Sequence, residues 1–342
     1  MSSSAQFLNP SQAARRLGVS TKALRLYEQR GLVDPARTAT GWRGYGPDDM
    51  ARANEIVALR TLGLSLAQVA RVLAGDPQGL EPALAAHQAT LEERLRQIAD
   101  TVEKVRGVRA DLALGQAPAA GEVARLLESG LSVAFDLPWP WGGERFELRD
   151  IRPLNYITGP LGCGKTRLAM RLAEILPGAA FLGLERSADG GAGARARLVA
   201  DLDLKSRVDQ VLAWLTEDGA TISEALLALL VELEPAGAGA LVVDMVEQGL
   251  DEPTQEALIA YLRRRRPDAR PLFLMTRSCA ILDLAAVGPG ETIIFCPANH
   301  SPPICVIPHP GAPGYEAVAT CLAPNEVRAR TEGMVAWRPL SH

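Results

Sequence analysis

The sequence has no run of about 18 apolar residues, the least that crosses a membrane as a helix. Its first residues also lack the apolar centre of a secretion signal. A cytoplasmic protein with no membrane partner is therefore expected. Cysteine is scarce: Cys163, Cys279, Cys296, Cys305 and Cys321 all lie in the second half, form no CxxC pair and show no zinc spacing. Buried or free thiols are expected in place of disulfides or a thiolate metal centre. The histidines, His87, His300, His309 and His342, form no spaced pair, so neither a metal site nor a hydrolytic triad is suggested. Aromatic residues make up only 5% of the chain, whereas 47% is hydrophobic and 22% charged. That balance excludes a disordered chain. A length of 342 residues exceeds what one core usually serves, and two or three domains are expected.

The net charge of −4 hides an uneven distribution. Residues 1–75 hold ten basic side chains and five acidic ones, a charge of +5 that leaves −9 on the remainder. A basic head on an acidic body is the electrostatic footprint of a segment that meets phosphates.

Punctuation divides the chain further. Short helical patterns alternate with turns up to about Gly75. One long helix is then predicted from Glu81 to Leu114, where Leu84, Leu91, Ile98, Val105 and Leu112 recur every seven residues and Leu95 and Val102 fill the alternate seam. This spacing argues for a coiled-coil partner, either another chain or the same chain folded back. Gly115–Gly121 reads as a linker and Pro138–Gly143 as a second break. Beyond Phe146, apolar runs alternate with helical patterns, which suggests an α/β domain with a mostly parallel sheet and strands at Asn155–Thr158, Ala180–Leu184, Ala240–Asp244, Pro271–Thr276 and Glu291–Cys296. The expected domains are 1–76, a pairing helix at 77–115, a linker at 116–143 and the α/β body at 144–342.

Within the head, Ser11–Leu17 reads as a helix closed by Gly18, and Ser20 can cap a second helix from Thr21 to Arg30. Two short helices about a glycine turn make a helix-turn-helix, whose second helix can enter a major groove. The segment Tyr27-Glu28-Gln29-Arg30-Gly31-Leu32-Val33-Asp34-Pro35-Ala36-Arg37, followed by Gly41-Trp42-Arg43-Gly44-Tyr45 and Leu59-Arg60-Thr61-Leu62-Gly63-Leu64-Ser65-Leu66, resembles the winged helix-turn-helix of the MerR family of transcription regulators over residues 9–75. The long helix stands where that family places its dimerisation helix. The resemblance implies an all-α winged helix-turn-helix head, a homodimer joined by antiparallel helices, double-stranded promoter DNA as partner and RNA polymerase as the machine it acts on. It further implies that Thr21, Lys22 and Arg25 face the major groove, and that Arg37, Arg43 and Tyr45 of the wing reach the backbone, which fixes register and not sequence. Tyr27 and Trp42 complete that DNA-contacting set. Trp42 stands where the family usually has Tyr, and Leu26 where an aromatic residue is common. Metal-sensing members carry cysteines near the end of the dimerisation helix; here the first is Cys163, so sensing of that kind is not expected.

The body contains Gly159-Pro160-Leu161-Gly162-Cys163-Gly164-Lys165-Thr166, which fits GxxxxGK[ST] between an apolar strand and a helix predicted over Arg167–Ile175. Glycines let backbone N–H groups turn toward a phosphate, and the helix N-terminus adds positive potential. Gly159, Gly162, Cys163, Gly164, Lys165, Thr166 and Arg167 are thus the candidate ATP or ADP contacts, and Thr166 with Asp244 the candidate Mg²⁺ holders. Asp244 ends the apolar strand Gly239–Val243, the position of the Mg²⁺ carboxylate in such enzymes. The stretch Val242–Leu258, with Leu272–Ser278, resembles ABC-type P-loop ATPases of the kind found outside transporters, over about residues 144–300. Against that pattern, Met245 replaces the usual Glu after Asp244, Arg277 replaces a His, and Thr221-Ile222-Ser223-Glu224 is a faint signature. Glu247 is the remaining candidate base, at a different spacing.

Taken together, these features lead to the expectation of a dimeric, DNA-binding regulator with an ATP-binding effector domain whose hydrolysis is weak or absent. An active DNA-anchored ATPase of repair, partition or remodelling is the alternative. A third reading makes the loop a relic on a platform for another ligand or a protein partner. The run Arg263–Arg266 is expected to be a solvated helix end, with a second nucleic-acid patch as the alternative.

Overall fold

The computed structural model describes residues 7–37, 43–116, 131–235, 239–265 and 269–322. The head begins with α1 (Pro10–Leu17) and α2 (Thr21–Gln29), separated by Gly18 at a φ of 67°. Asn9 and Gln12 cap α1 reciprocally, and the Ser20 hydroxyl accepts the Ala23 N–H at 3.0 Å to start α2. Strands β1 (Ala36–Arg37) and β2 (Arg43–Gly44) pair antiparallel as a small wing. Next come α3 (Pro47–Thr61), opened by Pro47 and the acidic pair Asp48 and Asp49, and α4 (Leu66–Leu73), capped by Ser65. Leu24, Tyr27, Tyr45, Ile56, Leu64, Leu66 and Val69 fill the head's core, while Ala13 and Ala14 let α1 approach closely. This is the helix-turn-helix with a wing that the sequence leads one to expect.

Helix α5 (Leu80–Ala113) leaves the head from Gly79, which adopts a φ of 88°. At 1.5 Å per residue it is about 51 Å long. Its seam side chains Leu84, Leu91, Leu95, Ile98, Val102, Val105 and Leu112 are all exposed in the single chain.

The body opens one strand earlier than expected. β3 (Leu131–Asp136) pairs antiparallel with β4 (Arg145–Ile151), so the later part of the presumed linker 116–143 is sheet and its Pro138–Gly143 break is a turn between two strands. The Pro118–Gly121 stretch lies outside the described residues. The main sheet consists of β5 (Leu154–Thr158), β6 (Ala180–Leu182), β7 (Leu241–Val243), β8 (Leu272–Met275), β9 (Glu291–Phe295) and β10 (Ile304–Val306), in the order β10-β9-β5-β8-β7-β6. β10 runs antiparallel to β9 and every other pairing is parallel. The helices are α6 (Lys165–Ile175), α7 (Ala192–Ala200), α8 (Leu202–Asp218), α9 (Glu224–Leu233), α10 (Glu252–Leu262) and α11 (Tyr315–Cys321).

Strict alternation assigns each strand residue to a face. Leu154, Tyr156, Leu241, Val243, Leu272, Leu274, Ile293 and Phe295 pack with Val208, Leu215, Leu226, Leu230, Leu258 and Leu262 of α8, α9 and α10. Ile157, Val242, Phe273, Met275 and Ile294 pack with Leu168 and Leu172 of α6 and with Phe135, Phe146 and Leu148 of the β3–β4 hairpin. With both faces covered, the strands read as apolar runs, as parallel strands do. Among the described residues, no helix is long and apolar enough to cross a membrane.

The arginine run is a helix end, as expected, with Arg264 exposed, but its described members are also engaged by partners. Arg263 pairs with Glu291 at 2.9 Å, and Glu291 also accepts the Tyr156 hydroxyl at 2.6 Å and the Gly288 N–H at 3.1 Å. Arg264 lies 4.6 Å from the Trp214 ring centroid, and Arg265 donates to the Arg270 carbonyl at 3.3 Å. Arg266 lies outside the described residues.

The head docks on the body where α4 meets the end of α8. Asp218 accepts both Arg60 guanidinium nitrogens at 2.7 and 3.0 Å and the Leu66 N–H at 2.7 Å. Glu217 accepts the Ser65 hydroxyl at 2.7 Å, and Arg60 and Arg264 both lie over Trp214.

Removing one member of a buried, hydrogen-bonded ion pair costs about 3–5 kcal/mol. Glu291→Ala, which strands both Arg263 and the Tyr156 hydroxyl, is expected to lower body stability by about that much in urea unfolding. Tyr156→Phe should cost only about 1 kcal/mol. Equal losses for the two would overturn the charge-based account.

Candidate functional site

β5 is an inner strand; the chain leaves it toward β6 on one side of the sheet and leaves its neighbour β9 toward β10 on the other. In open α/β sheets this is the point where the carboxyl ends of the strands leave a crevice. The loop from Gly159 to Gly164 leaves β5 there and runs straight into α6. Gly159 has a φ of 152° and sits so close to β9 that a Cβ would meet the Cys296 carbonyl oxygen at 2.3 Å. Gly164, at a φ of 97°, has the Trp141 ring (Cη2) 2.7 Å and Pro140 Cδ 2.8 Å from where its Cβ would be. These glycines are therefore required by both backbone and space. Gly164 supplies no side-chain cap to α6, whose first-turn N–H groups lie at the loop.

Lys165 is buried, and its ammonium donates to the Gly159 and Pro160 carbonyls at 2.9 and 2.7 Å. Cys163 is buried beneath the loop with its sulfur 3.7 Å from that ammonium. A hydrogen bond from the Cys296 thiol, helped by the Lys165 charge, holds the Cys163 thiol below the usual thiol range. Cys296 is pushed up in return.

Asp244 follows β7, and its N–H extends the ladder to the Leu182 carbonyl at 2.8 Å. Burial pushes its carboxyl up from the ordinary range, while Arg186 and Lys165 pull it back. Met245 then turns with a φ of 41°, a conformation that costs a residue with a Cβ about 1–2 kcal/mol. Arg186 holds this turn by donating to the Asp244 and Met245 carbonyls, both at 2.7 Å. Glu247 is buried, and its carboxylate accepts the Arg277 N–H at 2.9 Å, tying the turn after β7 to the turn after β8. Ser223 serves as the N-cap of α9.

The loop, Lys165, Asp244, Glu247 and Arg277 thus converge at the carboxyl ends of the inner strands. Neither Arg186 nor the Pro140–Trp141 buttress could be picked out from the sequence. An isolated arginine carries no spacing signal, and the buttress belongs to a hairpin whose first strand is preceded by a composition typical of a linker.

In the head, Thr21, Arg25 and Arg37 are exposed. Arg43 pairs with Glu28 at 2.7 Å, and the Tyr45 hydroxyl donates to the same carboxylate. Tyr27 and Tyr45 are core residues of the head, and Trp42 lies outside the described residues. The Lys22 ammonium lies 3.2 Å from Glu252 and 3.3 Å from the Cys279 sulfur, both in the body.

Because burial raises the Asp244 pKa above its unfolded value, protonation favours the fold. That contribution is present below the unfolded pKa and is lost as pH rises through the folded one. At neutral pH the ionised carboxylate therefore opposes folding. Asp244→Asn is expected to raise the urea midpoint of the body at neutral pH, with the gain shrinking as the pH falls into the carboxylate range. A variant no more stable than the parent at neutral pH would contradict this.

Comparison with known proteins is concentrated on the head. The model of the MerR HTH family of regulatory proteins matches residues 8–76. A "probable heavy metal-dependent transcriptional regulator" of Haemophilus influenzae is 38% identical over 106 residues, which is 29% of this chain and 83% of that protein. "Transcriptional regulator BrlR" of Pseudomonas aeruginosa is 40% identical over 90 residues, 25% of this chain and 33% of that protein. Among solved structures, HiNmlR, "a MerR family regulator lacking the sensor domain, bound to promoter DNA", aligns at 20% identity over 32% of this chain and 92% of its own, with a TM-score of 0.25. An Atm1-family ABC exporter with ATP bound aligns at 13% identity over 84% of this chain and 64% of its own, with a TM-score of 0.32. At these scores neither superposition assigns a fold. The relative from Haemophilus influenzae, matched over most of its length, and the family match to the winged head place this chain in the MerR HTH family of regulatory proteins.

Proposed function

We propose that the protein is a dimeric MerR-type transcription regulator whose α/β body binds ATP with Mg²⁺ and uses the bound state to control how the two heads meet promoter DNA. The head supports DNA binding through its family membership and through Thr21, Arg25 and Arg37, which are solvent-facing on α2 and the wing. The exposed apolar seam of α5 supports pairing with a second copy, since seven large apolar side chains lie along one helix. RNA polymerase is the machine such a dimer would act on.

The observation that carries the nucleotide reading is the loop between β5 and α6. It has the two glycines at positions where a Cβ would collide, an ammonium whose hydrogen bonds go to two backbone carbonyls of the loop and to the Cys163 sulfur, and an uncapped helix start. That chemistry suits a polyphosphate: Gly159, Gly162, Cys163, Gly164 and Arg167 would line it, Lys165 would neutralise it, and Thr166 with Asp244 would hold the metal. Bound Mg²⁺ would supply charge neutralisation between phosphate oxygens. The buried Asp244 carboxylate, costly to ionise on its own, gains a counter-charge in that arrangement.

Hydrolysis fits these residues poorly. Met245 cannot orient water, and Glu247 is engaged with the Arg277 N–H. ATP is therefore read more than turned over, and the ligand acts by binding one dimer geometry better than another.

The test is a titration of full-length protein on a duplex selected by it from a random pool, with ATP, ADP and a non-hydrolysable analogue, while phosphate release is followed. DNA affinity should depend on the nucleotide, with the analogue acting like ATP. Lys165→Ala is expected to weaken ATP binding about 10–100-fold, the loss of one charge-assisted hydrogen bond of about 1.5–3 kcal/mol. Unchanged ATP affinity in that variant would sink the nucleotide reading. For pairing, Leu91→Glu with Ile98→Glu should convert a species of twice the chain mass into a monomer in sedimentation velocity. A parent protein that already sediments as a monomer would refute the dimer.

A further inference from the structure

One member of the head's DNA-facing set is not free in this conformation, although Thr21, Arg25 and Arg37 are exposed. Lys22 stands at the start of α2, among the residues whose place in the helix-turn-helix directs them to the groove. Its ammonium is instead paired with Glu252, the first residue of α10, and with the Cys279 sulfur. Around this contact, Ser11, Arg15 and Thr21 of the head face Asp283, Leu284 and Ala319 of the body across a cleft of about 590 Å³. A major groove alone is about 12 Å wide, and the duplex around it is wider still. A body surface that lies 3.2 Å from Lys22 leaves no room for a duplex at the start of α2.

The docking that holds this arrangement is built of charge. Glu217, Asp218 and Glu252 of the body take Arg71, Arg60 and Lys22 of the head, and the Asp218 carbonyl takes Arg30 at 3.3 Å. Body carboxylates therefore meet three of the head's ten basic side chains and a backbone carbonyl meets a fourth, in place of the partners that phosphates would offer.

We infer that the α/β body is an intramolecular competitor of DNA: it latches the head through Asp218 and Glu252, and the head reads a duplex only after this latch opens. The inference rests on the DNA-binding reading above. Both partners of Lys22 are attached to the candidate nucleotide site. Glu252 begins the helix that follows the Asp244–Leu250 turn, and Cys279 lies two residues beyond Arg277, whose N–H is held by Glu247. Any shift of those turns is transmitted to Lys22 within one helix start and two peptide units. DNA affinity of the whole chain is then the intrinsic affinity multiplied by the fraction of open chains.

Two measurements on the full chain test this. Zero-length carbodiimide coupling should join Lys22 to Glu252, detected as a cross-linked peptide, and saturating duplex should suppress it. In parallel, binding to a fluorescent mixed-sequence duplex at low salt is compared for the parent, for Asp218→Asn/Glu252→Gln, and for Glu174→Gln/Asp209→Asn. The last removes the same charge from carboxylates that pair with Arg171 and Lys205 within the body. A chain open less than about one-tenth of the time predicts that the latch variant binds at least ~10-fold tighter than the parent. Each phosphate contact it gains should steepen the salt dependence by about 0.9. The control should stay near the parent. Equal gains in latch and control variants, or a cross-link that persists on DNA-bound chains, would overturn the latch alone. Absence of duplex binding in all three proteins would overturn the DNA reading, and the latch with it.

Discussion

The buried carboxylate of Asp218 is the joint between the two halves of this molecule, and the placement of head against body follows from how its charge is satisfied. An ionised carboxylate taken out of water is costly unless donors surround it. Here a bidentate guanidinium from α3 and a backbone N–H from the start of α4 meet it, so its position is fixed from two head elements at once. Trp214, one turn earlier on α8, offers its ring to Arg60 and to Arg264. Burial and the nearby Arg60 charge lower the Arg264 pKa, the expected response of two cations around one ring. A joint made of polar and charged groups is specific in register yet separable, because each group can be returned to water. Apolar interfaces of the same extent lack that reversibility.

Much of this architecture was legible in the residues. The helix-turn-helix, the long helix and five strands of the body announce themselves through caps, heptads and apolar runs, because those signals are local. Strands 154–158, 272–275 and 291–295 fall within a residue of their expected limits. The β3–β4 hairpin was missed, since its pairing is between segments with no neighbouring parallel strand and its approach is rich in Pro, Ala and Gly. The partners of the arginine run were illegible for a related reason. A run of like charges is usually solvated, but Glu291 and Trp214 come from distant parts of the chain, and no spacing rule connects them to residues 263–265. Asp218 itself gives no signal at all in the sequence.

The candidate site shows the same division between local and distant causes. The glycine loop is a local motif, and its geometry follows from positions where only glycine fits. The turn at Met245 depends on Arg186, a residue almost sixty positions away, which holds two successive carbonyls and so offsets the strain of a left-handed methionine. Strain of this kind persists only when the surroundings over-determine it. Here the anchoring arginine and the Glu247 bond to the neighbouring turn do so, and they fix the polar groups at the carboxyl ends of the strands.

Helix α5 gives the whole assembly a mechanical scale. It starts at Gly79, in a left-handed conformation directly after the head, and runs about 51 Å as a single rod. Rotating such a rod by about 10° at its base sweeps its tip through roughly 9 Å, by the length that 1.5 Å per residue gives. The helix is thus a gear between small and large displacements: a sub-ångström adjustment near its root becomes a change of several ångströms in the spacing of whatever its far end holds.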